Sequence, residues 1–415
     1  MHVWQVGQTN WKYMKIIYFT TALEKEDYIS FSSSWNTTLN TSIQNFHNRL
    51  IRSLAMTHEV DVISIRPFSR RFCSLKKLNA DTKQEGRITW HYVGVKRLKV
   101  QRYISIKNQC NKILAKLNLK DAIVLTDTLN PNVLNNATRL AKKYNLPIIG
   151  VCNNTPSGIH DTGRSYTTTI LTKATDLSGF ISLTPGLNSL FNKYSRANIS
   201  FEGILDNKYQ PMDVSKYGKY IFYDGSLEEK YGIYDLIKAF IALDNPNYNL
   251  LISGYHKNDS KLTRAIGNNA NILYLGNLQN DEVLALANGS FINVNPLPYS
   301  EDYDRYLIPD NIVDYFAANS ITLSVRNRHF KKEFENDAIW INSGDVTDLL
   351  SGLKIALNLS KEERNAMIKK ANADANKLYS MDNINRKTIL FLKQFLKQKE
   401  WFETPFLSSI CLIGK

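Results

Sequence analysis

The sequence predicts an α/β protein of two doubly wound domains, each built on a mostly parallel sheet. Short β-rich runs alternate with amphipathic helical patterns along almost the whole chain, which is typical of βα units. A chain of 415 residues is also too long for one ordinary core. The alternation breaks at residues 195–218, where Pro211 and two glycines interrupt it. We therefore predict one domain on each side of this break.

The first domain, predicted over residues 14–195, contains five buried strands with helices between them. One helix is predicted at residues 40–55, where Ile43, Phe46, Leu50 and Leu54 recur at three- and four-residue spacing. The strands are KIIYFT (15–20), VDVISI (60–65), AIVLTD (122–127), PIIGVC (147–152) and GFISLT (179–184). Residues 1–13 precede the first strand, and we expect them to lie outside the fold as an extension or a misplaced start.

The second domain, predicted over residues 196–385, repeats the pattern with six strands. They are YIFYDG (220–225), NLLISG (249–254), NILYLG (271–276), FINVN (291–295), ITLSV (321–325) and AIWIN (338–342). Each of the first three ends on a glycine before a helix-length segment. Since ligands of open α/β sheets bind at the carboxyl ends of the strands, these glycines indicate close approach of the backbone to a ligand.

Residues 386–415 form a helical tail with two open interpretations. The piece RKTILFLKQFLKQKEWF mixes apolar residues with five lysines or arginines. It is either a terminal helix that packs back on the first domain, or a basic amphipathic segment resting on an anionic membrane.

The net charge of +14 concerns partners or solubility, because charge of this size does not determine a fold. Zinc-finger spacing and RNP aromatic patterns are missing, which disfavours nucleic acid. A membrane surface together with a nucleotide donor explains the charge better. In the first domain, basic residues follow Arg66 (Arg70, Arg71, Lys76 and Lys77) and recur in KRLKVQR (96–102). They indicate either an anionic lipid surface or a solvated basic face.

The cysteine pattern and hydropathy predict a cytoplasmic protein. The four cysteines are far apart and form no CxxC pair, which disfavours a zinc ribbon or a disulfide scaffold. No stretch reaches the roughly 18 to 20 apolar residues of a spanning helix, and the amino terminus lacks a signal-peptide core. Peripheral binding to the inner face of the plasma membrane remains compatible with this prediction.

Six segments in order resemble the retaining glycosyltransferases of family 4, and the resemblance extends from Met14 over essentially the whole chain. They are ISLTPGLNSLFNK (181–193), FEGILDNKYQP (201–211), YDGSLEEKYGIYDLIKAF (223–240), LLISGYHKND (250–259), NILYLGNLQNDEVLALA (271–287) and NPLPYSEDYDRYLIPDNIVDYFAANSITLSV (295–325). Residues 20–55 look like the first loop and helix of bacterial cell-surface or exopolysaccharide transferases.

The resemblance implies a GT-B fold, in which two Rossmann-like domains face each other across a cleft. The first would bind the acceptor and the second the nucleotide sugar. The implied reaction is retaining transfer of a hexose, from a UDP-linked donor that is a substrate and not a cofactor, to a cell-surface glycan, exopolysaccharide or lipid-linked acceptor. No convincing DxD metal motif is present, since LTDTLNP (125–131) has a single aspartate, so we expect a metal-independent enzyme.

The donor diphosphate needs cations or backbone N–H groups near it. Gly225, Ser226 and Lys230 lie between a strand and a helix, where loop N–H groups and an ammonium can meet the leaving diphosphate. Asp314 resembles the family glutamate that binds the donor ribose. The other predicted donor-binding residues are Gly254, Gly276, Leu278, Asp310 and Asn311. Alternatively, Lys230 is merely solvated, and Asp314 only stabilises its helix dipole.

Several positions depart from the family pattern. Asp314 is one methylene shorter than glutamate, and Leu307 stands where the first acidic residue of the pair is expected. Asn311 and Ser226 replace cations, and Tyr255 follows Gly254. These losses support an alternative: a catalytically degenerate GT-B protein that binds or stabilises an active transferase. A sugar-nucleotide epimerase of similar architecture is a third hypothesis.

On the acceptor side, Asn154 replaces a residue that is often aspartate, and an amide cannot act as a general base. His160 is the candidate catalytic base in this loop, with Asp161 beside it. The alternative is that His160 is an ordinary surface residue.

Overall fold

The computed structural model describes residues 14–35, 41–66, 68, 76–156, 164–206, 209, 211–255, 259–309, 311–330 and 332–403, with side chains except at 32–35, 332 and 397–403. Contacts divide the chain into unit 1, Met1–Ser200 with Ile384–Lys415, and unit 2, Phe201–Asn383. Residues 1–13, His160, Asp161 and Asp310 lie outside the described residues.

Unit 1 is built on a mostly parallel sheet, with helices in the connections between strands. Its elements are β1 (Lys15–Thr20), α1 (Lys25–Trp35), α2 (Thr41–Ala55), β2 (Val60–Ser64), β3 (Lys77–Leu78), β4 (Asp81–Glu85), β5 (Ile88–Tyr92), β6 (Val95–Lys96), α3 (Lys99–Leu114), β7 (Ala122–Asp127), α4 (Pro131–Lys143), β8 (Ile148–Cys152), α5 (Arg164–Ala174), β9 (Gly179–Ser182), α6 (Pro185–Phe191) and β10 (Ala197–Ser200).

The large sheet of unit 1 has the order β10-β9-β8-β7-β1-β2-β5-β4. All neighbours are parallel except β4 and β5, which form an antiparallel hairpin at one edge. The chain runs from β1 outward to β2 and β5, then returns to the other side of β1 at β7. The strand order therefore reverses between β1 and β7, and open α/β sheets bind ligands outside the carboxyl ends at such a point.

Helix α4 illustrates how the sequence forms these elements. Asn130 caps it by accepting hydrogen bonds from the backbone of Asn132 and Val133, and Pro131 occupies the first turn. Its apolar residues fall on one face and are buried: Val133, Leu134, Ala137, Leu140 and Ala141. All six residues of the neighbouring strand β7 are buried too, as expected for a parallel strand covered on both faces.

Unit 2 repeats the architecture with a smaller sheet. Its elements are β11 (Tyr220–Asp224), α7 (Ile233–Leu243), β12 (Asn249–Ser253), α8 (Asp259–Ile266), β13 (Ile272–Tyr274), α9 (Asn280–Gly289), β14 (Ile292–Asn295), α10 (Glu301–Tyr306), α11 (Ile312–Ala317), β15 (Ile321–Val325), β16 (Ile339–Ile341), α12 (Val346–Asn358) and α13 (Lys361–Tyr379). The sheet is parallel throughout, with the order β13-β12-β11-β14-β15-β16. In chain order this is 3-2-1-4-5-6, the Rossmann order, and its reversal lies between β11 and β14.

Both faces of the unit 2 sheet are buried. Because successive side chains of a strand point to opposite faces, Ile221 and Tyr223 pack with helices α7 and α12, whereas Tyr220 and Phe222 pack with α9, α11 and α13. This double cover explains why the strands read as nearly continuous apolar runs.

Helix α14 (Met381–Glu403) returns to unit 1 after unit 2 is complete. Six of its apolar residues are buried, whereas Leu390 is exposed; the buried ones are Ile384, Ile389, Phe391, Leu392, Phe395 and Leu396. The amide of Asn385 donates to the backbone of Ser53. Residues 384–396 of the tail are thus part of a helix packed on unit 1 through these buried side chains.

The structure confirms the predicted fold class and all eleven predicted strands, most of them within a residue or two of their predicted ends. The hairpin β4–β5, the short pair β3–β6 and the edge strand β10 were not predicted. Among the described residues, no helix is both long and apolar enough to cross a membrane.

Candidate functional site

The carboxyl edge of the unit 2 sheet brings the loops after β11 and β14 together. Gly232, which ends the first of these loops, has a φ of +82°, and a Cβ there would overlap the carbonyl oxygen of Pro296 in the second. Only glycine fits this position without displacing the backbone. The close approach lies at the point where the strand order reverses, so it marks the candidate ligand site of this unit.

Three of the predicted glycines, Gly225, Gly254 and Gly276, lie in neighbouring loops at the same edge of the sheet. The backbone N–H of Gly225 donates to Ser253, and that of Gly254 donates to Gly276. Gly254 has a φ of +133°, and a Cβ there would overlap the carbonyl oxygen of Gly225. The structure therefore places these glycines together, but two of their N–H groups serve the packing of the loops. Leu278 is half-buried against the adjoining core.

Lys230 lies in a turn of 3₁₀ helix between β11 and α7. Its ammonium is 3.1 Å from a carboxylate oxygen of Glu228, and 56% of its side chain is exposed. Partial burial, the largest single effect, lowers the pKa of Lys230. The hydrogen bond to Glu228 and the charges of Glu228, Tyr231 and Tyr303 together outweigh it, so the pKa lies above its ordinary value. Lys230 is thus a cation at the edge of the sheet and accessible to a ligand. The carbonyl oxygen of Ser226 accepts a hydrogen bond from Tyr223.

Asn311 fixes the end of β11. Its side-chain amide donates to the carbonyl oxygen of Asp224 at 2.5 Å and to the hydroxyl oxygen of Tyr315 at 2.8 Å. The Tyr315 hydroxyl also accepts from the backbone N–H of Asp224 at 3.0 Å. These bonds tie the start of α11 to the strand end at the reversal point. Asn311 therefore has a clear structural role here.

Asp314 lies in α11, three residues after Asn311, and is half-buried. Lys230 follows β11, and Asp314 lies in the connection after β14. The two predicted catalytic residues of unit 2 therefore lie in the connections that follow the two strands on either side of the reversal point.

The carboxyl edge of the unit 1 sheet contains a buried polar cluster that the sequence did not reveal. Asp127 ends β7, and its carboxylate lies 3.9 Å from Nε2 of His47 on α2. Nδ1 of His47 is 2.7 Å from the hydroxyl of Tyr18 on β1. All three side chains are almost fully buried. The cluster sits where the strand order of unit 1 reverses.

Burial controls the protonation of this cluster. Burial lowers the pKa of His47, and the opposing effect of Asp127 is smaller. Burial raises the pKa of Asp127, against the effects of His47 and of the hydrogen bond from the Leu129 backbone. Nε2 of His47 has no hydrogen-bond partner within the described residues. Titratable groups with perturbed pKa values at a carboxyl edge are candidates for a functional role.

The acceptor-side loop after β8 is described only in part. Asn154 is half-buried, and its side-chain oxygen accepts from the backbone of Thr155 at 2.7 Å. Its neighbour Asn153 is buried, and its side-chain oxygen has no partner within the described residues. Asn154 is the residue predicted from the sequence, and Asn153 is a second candidate because its side chain is buried. His160, the proposed base, falls outside the described residues.

One signal in the sequence was available for Asp127. An acidic residue that ends a mostly apolar strand, shortly before the Asn-Pro start of a helix, lies at the carboxyl edge of a parallel sheet. No comparable signal marks His47, because a histidine inside an amphipathic helix is compatible with many environments. In the described residues, no group of three or more His, Cys, Asp or Glu side chains is arranged to hold a metal ion.

Comparisons with known proteins agree with this architecture. Residues 210–374 match the protein family described as glycosyl transferases group 1. No curated protein sequence matches the chain significantly. The family match falls within unit 2, the unit with the Rossmann strand order.

Solved structures resemble the whole chain. Sucrose-phosphate synthase from Thermosynechococcus elongatus is similar with a TM-score of 0.65 at 10% identity, over 93% of this chain and 100% of that one. Trehalose-6-phosphate synthase from E. coli, bound with UDP-2-fluoro glucose, gives 0.61 at 13% identity, over 92% and 99%. The Anabaena protein Alr3699/HepE, in complex with UDP and glucose, gives 0.62 at 11% identity, over 92% and 100%.

At these identities the structural likeness shows the fold, which is that of GT-B proteins with two Rossmann-like domains, and the family match supplies the activity. The chain is a glycosyltransferase whose second unit carries a group 1 glycosyl transferase domain.

Proposed function

We propose that this enzyme transfers a hexosyl group from a UDP-linked sugar to a cell-surface glycan, exopolysaccharide or lipid-linked acceptor, with retention of anomeric configuration and without a metal ion. The observation that carries the donor half of the proposal is the meeting of the loops after β11 and β14, with Lys230 beside them. This is the unit that matches the group 1 family.

The chemistry assigns Lys230 to the leaving group. In the reaction the bond from the anomeric carbon to the diphosphate oxygen breaks, and an acceptor hydroxyl oxygen bonds to that carbon while its proton passes to the diphosphate. Negative charge grows on the diphosphate as the bond breaks, and a protonated lysine stabilises that charge more in the transition state than in the ground state. Asp314 is proposed to hold the ribose hydroxyls.

Two relatives support a uridine nucleotide. The E. coli and Anabaena structures contain UDP-2-fluoro glucose and UDP with glucose, respectively. Retention comes from the resemblance to family 4, and metal independence from the lack of a convincing DxD motif in the sequence. The acceptor class rests on that resemblance and on the positive charge of the chain, which suits work at the anionic inner face of the plasma membrane.

Hydrolysis of UDP-hexoses by the purified protein tests the donor site. We expect Lys230→Ala to lower kcat by about 10²- to 10³-fold, as for loss of one oxyanion donor. We expect Asp314→Asn to raise KM roughly tenfold, which is about 1.4 kcal/mol of binding. Lys238→Ala is the matched control, because Lys238 is also an exposed lysine with a local acidic partner, Asp235. Full activity of both site variants would remove these assignments.

Two further measurements test the finer claims. Turnover that is unchanged in EDTA and a product with the anomeric configuration of the donor are the expected results. Calorimetry with UDP distinguishes the enzyme from a degenerate partner protein: absence of saturable binding together with absence of turnover would contradict the proposal.

A further inference from the structure

The segment 87–120 of unit 1 contains nine basic residues and no acidic one. The basic residues are Arg87, Lys96, Arg97, Lys99, Arg102, Lys107, Lys112, Lys116 and Lys120. Much of the excess positive charge of the chain is therefore concentrated in one stretch, which covers β5, β6 and α3. A concentration of this kind produces a local field that attracts anions.

Helix α3 has two separate apolar faces. Ile106, Cys110 and Leu114 are buried against unit 1. A second set stands exposed at its amino-terminal end: Leu98, Val100, Tyr103 and Ile104, with exposed fractions of 46%, 71%, 53% and 49%. Val100, Tyr103 and Ile104 are spaced at i, i+3 and i+4, so they share one face. Exposed apolar residues that cluster on one helix face are candidates for an interaction site.

Lysines of the short strand pair β3–β6 lie next to helix α3. The short antiparallel pair β3–β6 places Lys77 directly opposite Lys96. The backbone N–H of Lys96 donates to the hydroxyl of Ser105, which joins β6 to α3. Like charges directly opposite each other destabilise a strand pair unless an anion neutralises them.

Lysines near helix α3 lack counterions among the residues that the structure describes. Five of them, namely Lys76, Lys77, Lys96, Lys99 and Lys107, are exposed and form no ion pair within the described residues. In contrast, Lys83 of the neighbouring hairpin lies 2.7 Å from a carboxylate oxygen of Glu24. We define the basic–apolar surface as these five lysines with Leu98, Val100, Tyr103 and Ile104.

We propose that the basic–apolar surface binds the anionic phospholipid bilayer. Its lysines match the negative headgroups, and its aliphatic and aromatic side chains match the boundary between headgroups and acyl chains. The phosphates of a nucleic acid would neutralise the lysines, but Leu98, Val100 and Ile104 would stay exposed to water. Delivery of the enzyme to a membrane-bound acceptor rests on the proposed function; the binding to lipid does not.

The test is co-sedimentation of the full-length protein with vesicles of phosphatidylcholine alone or with about one third phosphatidylglycerol. We expect binding only to the anionic vesicles, and weaker binding at about 1 M salt, where the Debye length is about 3 Å. Lys96→Gln with Lys99→Gln should weaken binding about 25-fold, at about fivefold per lysine. Val100→Ser with Ile104→Ser should weaken it by about tenfold or more while the salt dependence remains.

Matched controls separate the surface from general charge and hydrophobicity. Lys142→Gln with Lys143→Gln removes the same charge from the exposed end of α4, and Ile241→Ser removes an exposed apolar residue from unit 2. Both should bind vesicles like the wild type. Equal binding to neutral vesicles, no binding to anionic vesicles, or equal effects of the α3 and control variants would overturn the proposal. Binding to a DNA oligonucleotide without vesicle binding would overturn it in favour of nucleic acid.

Turnover of UDP-hexose in solution separates the two proposals. Loss of vesicle binding in the α3 variants with unchanged turnover supports a docking surface distinct from the donor site. Vesicle binding by a protein that neither binds UDP nor turns over would leave the surface intact and overturn the proposed function.

Discussion

Asp61 is a buried carboxylate at the centre of unit 1, and two basic side chains hold it. One carboxylate oxygen is 2.7 Å from Nε2 of His91, and the other is 2.6 Å from the ammonium of Lys15. Burial by itself raises the pKa of Asp61, but these two contacts outweigh it, so the pKa lies below its ordinary value. The charged carboxylate therefore stabilises the folded state.

We expect Asp61→Asn to lower the free energy of unfolding by about 1–3 kcal/mol at pH 7, since it removes charge-assisted bonds to a buried group. A carboxyl whose folded pKa is lowered contributes stability above its unfolded pKa of about 3.9, and that contribution is lost as pH falls through the folded value. The difference between variant and wild type should hold from about pH 5 to 7 and shrink below about pH 4. Urea unfolding at several pH values measures it.

Asp176→Asn is the control for this prediction. Asp176 forms an exposed ion pair with Lys173, at 3.9 Å, and such pairs contribute little. Its loss should change the free energy of unfolding by less than about 0.5 kcal/mol. Equal losses in the two variants, or a pH-independent loss for Asp61→Asn, would contradict the argument.

Some residues of the candidate site could be predicted from the sequence, and others could not. The positions of Gly225, Gly254 and Lys230 follow from the strand-glycine-helix pattern, because the carboxyl ends of parallel strands share one edge. The contact between His47 and Asp127 joins residues 80 positions apart, and no local pattern encodes it. The bonds of Asn311 to Asp224 and Tyr315 were also hidden, since side-chain hydrogen bonds depend on the final packing.

At the scale of elements, the loops of unit 2 depend on glycine for two different reasons. Gly254 combines a φ of +133° with a position where a Cβ would overlap the Gly225 carbonyl oxygen. Gly267, after α8, has a φ of +60° but no atom closer than 4.0 Å to a Cβ. Replacing either glycine by a residue with a side chain would strain the backbone. Only at Gly254 would the new Cβ also overlap a neighbouring backbone atom.

We expect Gly254→Ala to lower the free energy of unfolding by about 3 kcal/mol or more, because strain and displacement of the β11 loop add. Gly267→Ala should cost about 1–2 kcal/mol, the strain of a left-handed alanine alone. Urea unfolding of both variants gives the comparison. Similar costs would show that the loop at Gly225 moves easily, which would weaken its assignment as a preformed ligand edge.

Helix α14 offers a sharper contrast between neighbouring residues. Leu392 is fully buried, whereas 67% of Leu390 is exposed. We expect Leu392→Ala to lower the free energy of unfolding by about 2–5 kcal/mol through the cavity it leaves. Leu390→Ala should change it by less than about 0.5 kcal/mol. Thermal unfolding of the two variants checks this, and the reverse order would mean that the helix packs through its other face.

The sequence predicted the central strands better than the edges. Strands such as β7 are mostly apolar and buried throughout because helices cover both faces of the sheet. The edge strand β4, DTKQE, contains no apolar residue and is paired on one side only, so neither hydropathy nor alternation marks it. The sequence left open whether helix α14 packs on the protein or on a membrane, because a basic amphipathic pattern is compatible with both.

At the scale of the whole molecule, two similar sheets carry different chemistry at their reversal points. Unit 2 presents glycine loops and the cation Lys230, which suit a diphosphate. Unit 1 presents the buried cluster around Asp127 at its reversal point and carries the basic–apolar surface elsewhere, along β3, β6 and the start of α3. This division fits an enzyme that takes its donor on one unit and meets its acceptor through the other.

Each unit also has its own sheet and its own core, and the chain passes between them at residues 200–201 and 383–384. We therefore expect the units to unfold as separate cooperative blocks. A ligand that binds only the native form of unit 2 then raises the free energy of unfolding of that unit, by about 2.7 kcal/mol at a hundredfold excess over its dissociation constant.

Hydrogen exchange with and without UDP measures this effect in each sheet. Peptides that cover β11, β12 and β14 should exchange about 100-fold more slowly in UDP, and those that cover β1 and β7 should slow much less. We expect this difference in slowing because the donor loops follow strands of unit 2. UDP can slow exchange in unit 1 only if the unfolding of the two units is coupled. Equal slowing in both sheets would mean that the chain unfolds as one block, and slowing confined to unit 1 would place the nucleotide on the wrong unit for the proposed donor site.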